Sequence, residues 1–439
     1  MADPRSIHTI LHRPELGLSL RSPKPEITLS LALSPSPAVS PPEEGLKPEE
    51  RGIRLIQLLL ICAKHASSGN VHRADECLRQ ISQLASISGD SMQRLATRFA
   101  SALAVRLVKR WPGLYKALNL THQWPKQELV LAKPLLSQAF PYLVFAYAII
   151  TRTLLQTMAE ERMIHIVDLG SSDAKFWVPL LRSFSRLPNE IPHLKITCVN
   201  NDKIALENLG RRLVKEAESL NMPFQFNPIN TRLTEQTIDM LRVRTGEALA
   251  FISVLKLHEL LAEDDRVVAH FGGRNNNIHN AIIKDCRQMD QFLSSLRSMS
   301  PKVLFLVEQE ADHNQTRFVD RFVEGLHYYS AVFDSIEATL AATGDERVVL
   351  EDMFGREIEN IVACEGVERE ERHERYGRWM VRFGQVGFKP VRMWFDAMED
   401  AKKMVETCGR EGYKIVNERA SLMICWHDRP LYAVSAWTC

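Results

Sequence analysis

The residues whose type and spacing could bind a cofactor lie between Met163 and Trp177. The run Ile164–Val167 is apolar apart from one histidine and leads into Asp168 and Gly170, which predicts a buried strand and a tight turn. Enzymes that bind S-adenosylmethionine or a dinucleotide begin their first βα unit in this way. Asp202 follows the next predicted strand, where such enzymes hold ribose hydroxyls. A cofactor site is therefore the first hypothesis to test.

The loop after Asp168 has few of the small residues that a cofactor site needs. Backbone N–H groups must approach the ligand closely, and about two or three glycines usually allow this. Here Gly170 is the single glycine, and the bulky pair Phe176–Trp177 opens the next predicted helix. The alternative is a structural turn in which Asp168 caps that helix. We favour the structural turn, with Asp168, Gly170 and Asp202 as candidates for a vestigial pocket.

The histidines and cysteines do not form a catalytic or metal-binding pattern. His165 lies inside the predicted strand and His258 lies at helical spacing in LKLHELL, so both fit structural positions. The run EREERHER around His373 mixes both charges and is predicted to be a solvated segment. The eight cysteines include no C-x-x-C pair, and no Cys/His set has zinc spacing. We expect no catalytic residue, no cofactor, no metal site and no enzymatic activity.

The charge balance argues against direct binding to nucleic acid or membrane. The 55 Lys and Arg residues face 54 Asp and Glu residues, which gives a formal net charge of +1. Basic clusters such as Gly210–Lys215 are small, and the sequence has no zinc-finger or basic-zipper pattern. The apolar run near Phe140–Ile150 is shorter than the roughly 20 residues of a membrane helix. We expect contact with DNA to be indirect.

The elements that would position these residues change along the chain. Residues 1–45 are rich in Pro and Ser and have no aromatic residue, which predicts a disordered tail. From about 46 to 120, apolar residues recur at helical spacing, and Asp90 is placed to begin one helix. After Ile164, short apolar runs alternate with helical patterns, which indicates a parallel sheet with helices on both faces.

The end of the chain breaks this alternation, because three predicted strands follow one another without helices. The five predicted parallel strands are Ile164–Val167, Lys195–Val199, Phe224–Ile229, Ala248–Leu255 and Val303–Val307, and the last three are Tyr413–Glu418, Ser421–Trp426 and Tyr432–Trp437. An antiparallel hairpin at one edge of the sheet fits the last three. The predicted fold class is α/β: a Rossmann-like (methyltransferase-like) mixed sheet with helices on both faces and an N-terminal helical cap. Such a fold does not determine a function.

A series of longer motifs occurs in one order along residues 46–439. They are RLIQLLLICAKHASSGN, IHIVD, VLKLHELL, SPKVLFLVEQEADHN, RFVEGLHYYSAVFDSIEA, GREIENIVACEGVEREERHER and CWHDRPLYAVSAW. Their order resembles the GRAS family of plant transcriptional regulators, with its two leucine-rich regions and its VHIID, PFYRE and SAW regions. LKPEERG, RWPGLYKALN and the ending SAWTC resemble the scarecrow-like three branch. The residues that match family motifs are Ile164, His165, Ile166, Val167, Asp168, Arg356, Glu357, Ser435, Ala436 and Trp437.

The resemblance implies a GRAS domain from about 46 to 439, with a helical cap to about 120 and an α/β core from about 121. It implies a nuclear co-regulator, with the cytoplasm as a second compartment, in gibberellin signalling and root development. The implied partners are DELLA-type and other GRAS proteins and indeterminate-domain zinc-finger factors, and a homo-oligomer is compatible. The family often has glutamine where this sequence has Phe176, so a polar group is missing beside the turn. The alternative function is a small-ligand-binding protein or an S-adenosylmethionine-dependent methyltransferase.

Two leucine patterns could contact partner proteins. The leucines of L-x-x-L-L share one face of a helix and could enter a partner's apolar groove, although core packing is the favoured alternative. The leucines of L-x-L-x-L line one edge of an extended chain and resemble the EAR repression motif, which docks TOPLESS-type corepressors; chance is the equal alternative. The residues are Leu55, Leu58, Leu59, Leu257, Leu260 and Leu261 for the first pattern, and Leu16, Leu18, Leu20, Leu29, Leu31 and Leu33 for the second.

Overall fold

The computed structural model describes residues 47–121, 135–136, 140–170, 173–188, 190–262, 286–340, 344–393, 395–407 and 411–439. Residues 47–439 belong to one compact unit. The helices are α1 (Pro48–Ser68), α2 (Val71–Leu84), α3 (Ser91–Val108), α4 (Pro112–Thr121), α5 (Pro141–Thr157), α6 (Ala174–Phe184), α7 (Lys203–Ser219), α8 (Arg287–Ser298), α9 (Phe318–Thr339), α10 (Asp345–Ala363), α11 (Tyr376–Gln385) and α12 (Phe395–Thr407). Among these described helices, none is long and apolar enough to span a membrane.

The strands form one mixed sheet. They are β1 (Met163–Asp168), β2 (His193–Asn200), β3 (Phe224–Asn230), β4 (Ala248–Val254), β5 (Val303–Gln309), β6 (Lys389–Val391), β7 (Tyr413–Glu418), β8 (Ser421–Trp426) and β9 (Arg429–Thr438). Their spatial order is β3-β2-β1-β4-β5-β9-β8-β7, and β6 also pairs with β9. Strands β1 to β5 are parallel, and β9 joins the antiparallel end to β5. The strand order reverses between β1 and β4, where open α/β sheets bind ligands at the carboxyl ends of their strands.

The predicted fold class is confirmed in its sheet and helices. Each of the five parallel strands begins and ends within two residues of the predicted bounds. The terminal hairpin lies at one edge, as predicted. Strand β6 was not predicted, because three residues that include Pro390 are too few to show an alternating pattern. The predicted disordered tail, 1–45, lies outside the described residues.

Helices α1 to α3 begin the helical cap. Leu55, Leu59 and Cys62 lie on one face of α1 and are fully buried. Helix α3 begins with a capping box: the Asp90 carboxylate accepts the N–H of Gln93 at 2.9 Å, and the Gln93 side chain accepts the N–H of Asp90 at 3.2 Å. Helices α9 and α10, from far along the chain, pack against α3. The cap is therefore built from two distant parts of the sequence.

Apolar side chains cover both faces of the sheet. Ile164 and Ile166 of β1 join the large core that continues into the helical cap. Val167 joins a second core with α8 and α11 on the opposite face. Successive side chains of a strand point to opposite faces, so the single run predicted from the sequence supports both layers. The polar residues of β1, His165 and Asp168, are consequently buried as well.

Candidate functional site

The carboxylate of Asp168 is buried at the end of β1. One oxygen accepts the N–H of Gly170 at 3.0 Å, and the other accepts the indole Nε1–H of Trp177 at 3.0 Å. The Cys198 Sγ lies 3.9 Å from the second oxygen, and burial, followed by the charge of Asp168, raises the pKa of this thiol well above its usual value. The carboxylate is thus held by groups of the protein itself.

Helix α6 is capped by Asp173. Its carboxylate accepts the N–H of Lys175 at 2.9 Å through one oxygen and the hydroxyl of Tyr147 at 2.9 Å through the other. The expectation that Asp168 caps this helix is therefore wrong. Asp168 still belongs to β1, and the side chain of Trp177 reaches back to it from α6.

Gly170 has a backbone conformation that other residues rarely adopt, with φ of +130°. A Cβ atom at this position would lie 2.7 Å from Cγ of Lys256. Lys256 in turn forms an ion pair with Glu259. Glycine is therefore required here by a close contact within the protein as well as by the backbone angle.

A small pocket of about 130 Å³ lies at the carboxyl ends of the parallel strands. Its lining includes Asn200, Asn201, Arg232, Lys256, Glu259 and Glu370. Arg232 and Lys256 could bind an anionic group, whereas the two glutamates would repel one. Asp202 was also a candidate for the vestigial pocket. It is exposed and is the N-cap residue of α7, where it accepts the N–H of Ala205 at 3.0 Å. The structure therefore gives Asp202 a local structural role.

His165 lies in a buried polar network on β1. Its Nδ1 is 2.9 Å from Oε2 of Glu247, and its Nε2 is 2.8 Å from the hydroxyl of Thr197. Lys195 Nζ lies 3.1 Å from the same glutamate. Burial, followed by the charge of Lys195, lowers the pKa of His165 to about 4. A neutral His165 donates to Glu247 and accepts from Thr197, which satisfies both ring nitrogens.

The run EREERHER is only partly solvated: Glu368, Glu370 and Arg375 are exposed, whereas four other residues are buried. Arg369, Arg372, His373 and Glu374 are each 1% exposed. Residues 369–375 form no helix, and Arg382 of α11 binds both oxygens of Glu374, at 2.7 and 2.8 Å. The prediction of a solvated run is wrong for these four residues, which contact His313, Asn314 or Arg382 outside the run. Such partners cannot be identified from the pattern of the run alone.

Three histidines and two glutamates form a buried polar cluster: His258, His313, His373, Glu308 and Glu371. His258 Nδ1 lies 2.7 Å from Glu308 Oε2, and its Nε2 lies 3.3 Å from Glu371 Oε2. His373 Nε2 lies 3.2 Å from the same oxygen, and its Nδ1 lies 2.9 Å from Nδ1 of His313. This cluster was not predicted. The signal in the sequence was Glu308, an acidic residue inside the apolar run VLFLVEQ, because buried acids usually have a partner.

The pKa shift differs between the histidines of this cluster, although burial alone lowers the pKa of each. For His258, burial is opposed by Glu308 and Glu371, which raise its pKa well above the usual value. For His373, burial and then the charge of His258 lower the pKa. His258 therefore carries the positive charge in the absence of another cation, and His373 is neutral.

Glu357, a residue of the PFYRE match, lies in the same polar region. It accepts hydrogen bonds from Nε2 of Gln309 at 3.0 Å and from the hydroxyl of Tyr329 at 2.8 Å. Burial, followed by the charge of Glu371, raises its pKa to about 7. Arg356 precedes it in α10 and is half-buried.

The SAW residues Ser435, Ala436 and Trp437 lie in β9, where they join the hairpin to the parallel sheet. Trp437 donates its Nε1–H to the hydroxyl of Ser435 at 3.0 Å, and its ring stacks on Phe383 at a centroid distance of 4.5 Å. Ala436 is fully buried and pairs with Phe305 of β5. The motif therefore has a structural position in the described sheet.

The leucines of both L-x-x-L-L patterns are buried. Leu55, Leu58, Leu59, Leu257, Leu260 and Leu261 are all 0–3% exposed. The second pattern forms the 3₁₀-helix Leu257–Leu261, not an α-helix with the expected face. In this conformation neither set can enter a partner's groove, which supports the core-packing alternative. The tail leucines, Leu16, Leu18, Leu20, Leu29, Leu31 and Leu33, lie outside the described residues.

Known proteins are similar to this chain in sequence and in fold. The family model of the GRAS domain matches residues 55–438. The chain belongs to the GRAS family. Scarecrow-like protein 3 from Arabidopsis thaliana is 41% identical over 438 residues, which cover 90% of this chain and 91% of the relative. DELLA protein RGL1 from Arabidopsis thaliana is 33% identical over 89% of this chain and 71% of the relative.

A solved structure agrees with the fold. The crystal structure of SCL7 from Oryza sativa has a TM-score of 0.74 and 29% sequence identity, and the match covers 87% of this chain and 99% of that chain. The relatives also include Scarecrow-like transcription factor PAT1 from Arabidopsis thaliana, which is 32% identical over 86% of this chain. As a GRAS protein, the chain is a plant transcriptional regulator, and its similarity to Scarecrow-like protein 3 agrees with the predicted branch.

Proposed function

We propose that this GRAS protein is a nuclear co-regulator that acts through protein contacts in gibberellin signalling and root development, and that it is not an enzyme. Similarity to a scarecrow-like protein and to DELLA proteins supports the regulatory programme. Its partners are DELLA-type and other GRAS proteins and indeterminate-domain zinc-finger factors. The family resemblance, rather than a particular contact, supports this choice of partners.

The hydrogen bonding of the Asp168 carboxylate is the observation that supports the proposed lack of enzymatic activity. A carboxylate that binds a cofactor must present an oxygen to the ligand. Here Gly170 and Trp177 each donate to one of its oxygens at 3.0 Å, inside the core. A ligand would have to reach a side chain that is 0% exposed, and replacing one of these donors would break a hydrogen bond to a charged group worth about 1.5–3 kcal/mol. The turn therefore stabilises the sheet instead of presenting a binding group.

A second candidate function, small-ligand binding, rests on the polar pocket at the strand ends. Its volume of about 130 Å³ is below the roughly 300–1,000 Å³ of common ligand pockets. Calorimetric titration of the purified protein with S-adenosylmethionine separates the two functions, and we expect no binding heat. Micromolar binding that is lost in Arg232→Ala would favour the second function and contradict the first.

The exposed face of α1 is the part of the first leucine-rich region that a partner can reach. Ile53 and Ile61 are 58% and 42% exposed, and Gln57 lies between them on the same face. These side chains lie on the side of the helix opposite the buried leucines. This stripe, Ile53, Gln57 and Ile61, is the surface that we assign to GRAS and zinc-finger partners.

Pull-down with the purified chain tests this surface. Ile53→Asp combined with Ile61→Asp should reduce capture of a DELLA-type protein and of an indeterminate-domain factor at least several-fold. Ile204→Asp is the matched control, because Ile204 is 70% exposed but lies on α7 of the α/β core. Failure of the unaltered chain to capture either partner would count against the proposed function, while equal losses in both variants would exclude only the α1 surface.

Contact with DNA is proposed to be indirect, because many arginines are not available to phosphates. Arg94, Arg321, Arg369, Arg372 and Arg382 are 0–2% exposed. A protein that binds DNA alone needs clustered, accessible basic side chains and shows a steep salt dependence. A promoter fragment should therefore be shifted in gels only when the zinc-finger partner is present. A salt-sensitive shift by the purified chain alone would contradict this.

A corepressor contact through the tail completes the proposal. Replacing Leu16, Leu18, Leu20, Leu29, Leu31 and Leu33 together by alanine should abolish capture of a TOPLESS-type corepressor while capture of DELLA-type proteins is kept. Unchanged corepressor capture by this variant would remove the EAR-like motif from the proposal.

A further inference from the structure

Three side chains from two separate segments converge within the buried polar cluster. His258 comes from the 3₁₀-helix after β4, and Glu371 and His373 come from the irregular segment before α11. The nearest ligand atoms of the three side chains all lie within 4.8 Å of one another. Two imidazoles and one carboxylate form a donor set that is common for transition metals in proteins.

The two distances between Glu371 and the histidines fit a tetrahedral ion, and the two histidine nitrogens lie within 4.8 Å of each other. Oε2 of Glu371 lies 3.3 Å from Nε2 of His258 and 3.2 Å from Nε2 of His373. Zinc binds histidine nitrogen and carboxylate oxygen at about 2.0–2.2 Å, so two donors on a tetrahedron are about 3.3–3.6 Å apart. Glu371 thus has almost the spacing to each histidine that one bound ion would require.

Hydrogen-bond partners outside the three proposed ligands orient His258 and His373 so that one nitrogen of each faces Glu371. Glu308 binds Nδ1 of His258 at 2.7 Å and also accepts the His258 backbone N–H at 3.2 Å, which directs Nε2 toward Glu371. His313 Nδ1 lies 2.9 Å from Nδ1 of His373. Histidine ligands in metal sites commonly have such a partner on the nitrogen that does not bind the metal, and a carboxylate is a frequent one.

The nitrogen of His373 that faces Glu371 lies within ion-pair distance of the carboxylate but makes no well-aligned hydrogen bond to it. His373 is 1% exposed, and its Nε2 has no hydrogen-bond partner, although the Glu371 oxygen is 3.2 Å away. The short contact between the Nδ1 atoms of His313 and His373 requires one to donate and the other to accept. When His373 donates, its Nε2 has a lone pair directed at a carboxylate. A cation between the two atoms converts that repulsion into two bonds.

We propose that His258, Glu371 and His373 bind a divalent transition-metal ion, with Zn²⁺ as the best match to two imidazoles and one carboxylate. Glu308 and Glu371 supply two negative charges that balance the ion. Glu371 is 25% exposed at its side chain, which leaves an opening to solvent for a water as fourth ligand. The ion would link the second leucine-rich region, which contains VLKLHELL, to the end of the PFYRE region. His258 and Glu371, its ligands from these two regions, are 113 residues apart in the sequence.

Metal stoichiometry in the full-length chain tests the proposal. The protein is stripped with a chelator, equilibrated with Zn²⁺, freed of excess ion and analysed by mass spectrometry for metal. We expect about one tightly bound Zn²⁺ per chain, and loss of it in His258→Asn, Glu371→Gln and His373→Asn. His72→Asn is the matched control, because His72 is exposed on α2. No retained zinc in the unaltered chain, or equal retention in His373→Asn and His72→Asn, would overturn the proposal.

Two further measurements separate this site from adventitious binding by cysteines or from misfolding. Co²⁺ in the unaltered chain should give visible d–d bands of a four-coordinate nitrogen and oxygen site without a thiolate charge-transfer band; a thiolate band would place the metal elsewhere and overturn the assignment. Zn²⁺ should raise the melting temperature of the stripped chain and of His72→Asn but not that of Glu371→Gln. The comparison uses the change in melting temperature on adding Zn²⁺, so it remains valid if Glu371→Gln is less stable without the ion. An equal rise in the melting temperature of all three proteins would contradict the proposed site.

Discussion

The hydrogen bond between Trp177 and Asp168 is the contact that turns a cofactor motif into a structural one. Trp177→Phe removes the Nε1–H that Asp168 accepts at 3.0 Å, and it also leaves a small cavity because Trp177 is fully buried. A buried carboxylate short of one donor should lower the free energy of unfolding by about 2 kcal/mol. Urea unfolding followed by circular dichroism measures this. The control is Trp111→Phe, because Trp111 is 39% exposed, and equal effects of both substitutions would contradict the proposed contact.

His165 should make stability depend on pH. Its pKa in the folded protein is lowered to about 4, first by burial and then by Lys195, whereas a histidine in an unfolded chain has a pKa of about 6.5. Between these values the unfolded chain binds more protons, so the stability contributed by neutral His165 is present above about pH 6.5 and is lost as pH falls toward 4. The destabilisation caused by His165→Gln should therefore be about 2 kcal/mol smaller at pH 5 than at pH 7.

The measurement is urea unfolding of the unaltered chain and of His165→Gln at both pH values. Taking the difference between the two proteins cancels the other titrating groups that they share. His72→Gln provides the control, because His72 is exposed and should give the same small difference at both pH values. A His165→Gln effect that is constant with pH would show that His165 is not held neutral.

At the residue scale, the sequence located important positions more reliably than it described their roles. Asp168 and Gly170 were placed correctly at the end of β1 and in the turn after it, but the donor that fixes Asp168 lies nine residues later, on another element. Neither side chain of that pair indicates its partner. The same limit explains why His373 was predicted to be solvated. Its contacts with Glu371 and His258 become evident only in the structure. Roles that depend on distant partners cannot be inferred from local pattern.

At the scale of single elements, the start of α3 is a feature that the local sequence predicts correctly. Asp90 was predicted to begin this helix, and it forms a capping box with Gln93. Asp90→Ala should cost about 1 kcal/mol, because it removes an acceptor for an otherwise unpaired N–H. Asp90→Asn keeps that acceptor while losing the ion pair with Arg51 at 2.8 Å, which is partly exposed and contributes little. Thermal unfolding that shows equal losses for both variants would contradict capping as the cause.

Other elements differ in how well the sequence predicts them, and the differences have physical reasons. Strands β4 and β5 are buried on both faces and therefore form short apolar runs, which the sequence shows clearly. The pattern LHELL has helical spacing but forms a 3₁₀-helix, because it follows β4 directly and contributes Leu257, Leu260 and Leu261 to the core. Strand β6 depends on pairing with β9 rather than on its own residues. Local propensity decides little where tertiary contacts dominate.

At the scale of the whole molecule, the helical cap and the later helices cannot be separated. Arg94 of α3 donates through Nε to Glu351 of α10 at 2.7 Å, across 257 residues of sequence. Both side chains are nearly buried, and Arg94 also donates to the carbonyl of Gly89 at 2.6 Å. No pattern in either helix predicts the pairing. The division into an N-terminal cap and a later core, which the sequence suggests, therefore underestimates how closely α9 and α10 are joined to the cap.

Breaking this ion pair should destabilise the cap and the sheet together. Arg94→Met leaves Glu351 buried without its main partner, which should cost about 3–5 kcal/mol. Adding Glu351→Met should restore most of that loss, because two apolar side chains can replace a buried ion pair without a desolvation penalty. Far-UV circular dichroism follows the helices, and tryptophan fluorescence follows mainly the sheet side through Trp177, Trp379 and Trp437. Both signals should shift to lower urea concentration by the same amount in Arg94→Met, since residues 47–439 form one compact unit. A fluorescence transition that stays in place while the helical signal moves would show that the cap unfolds separately.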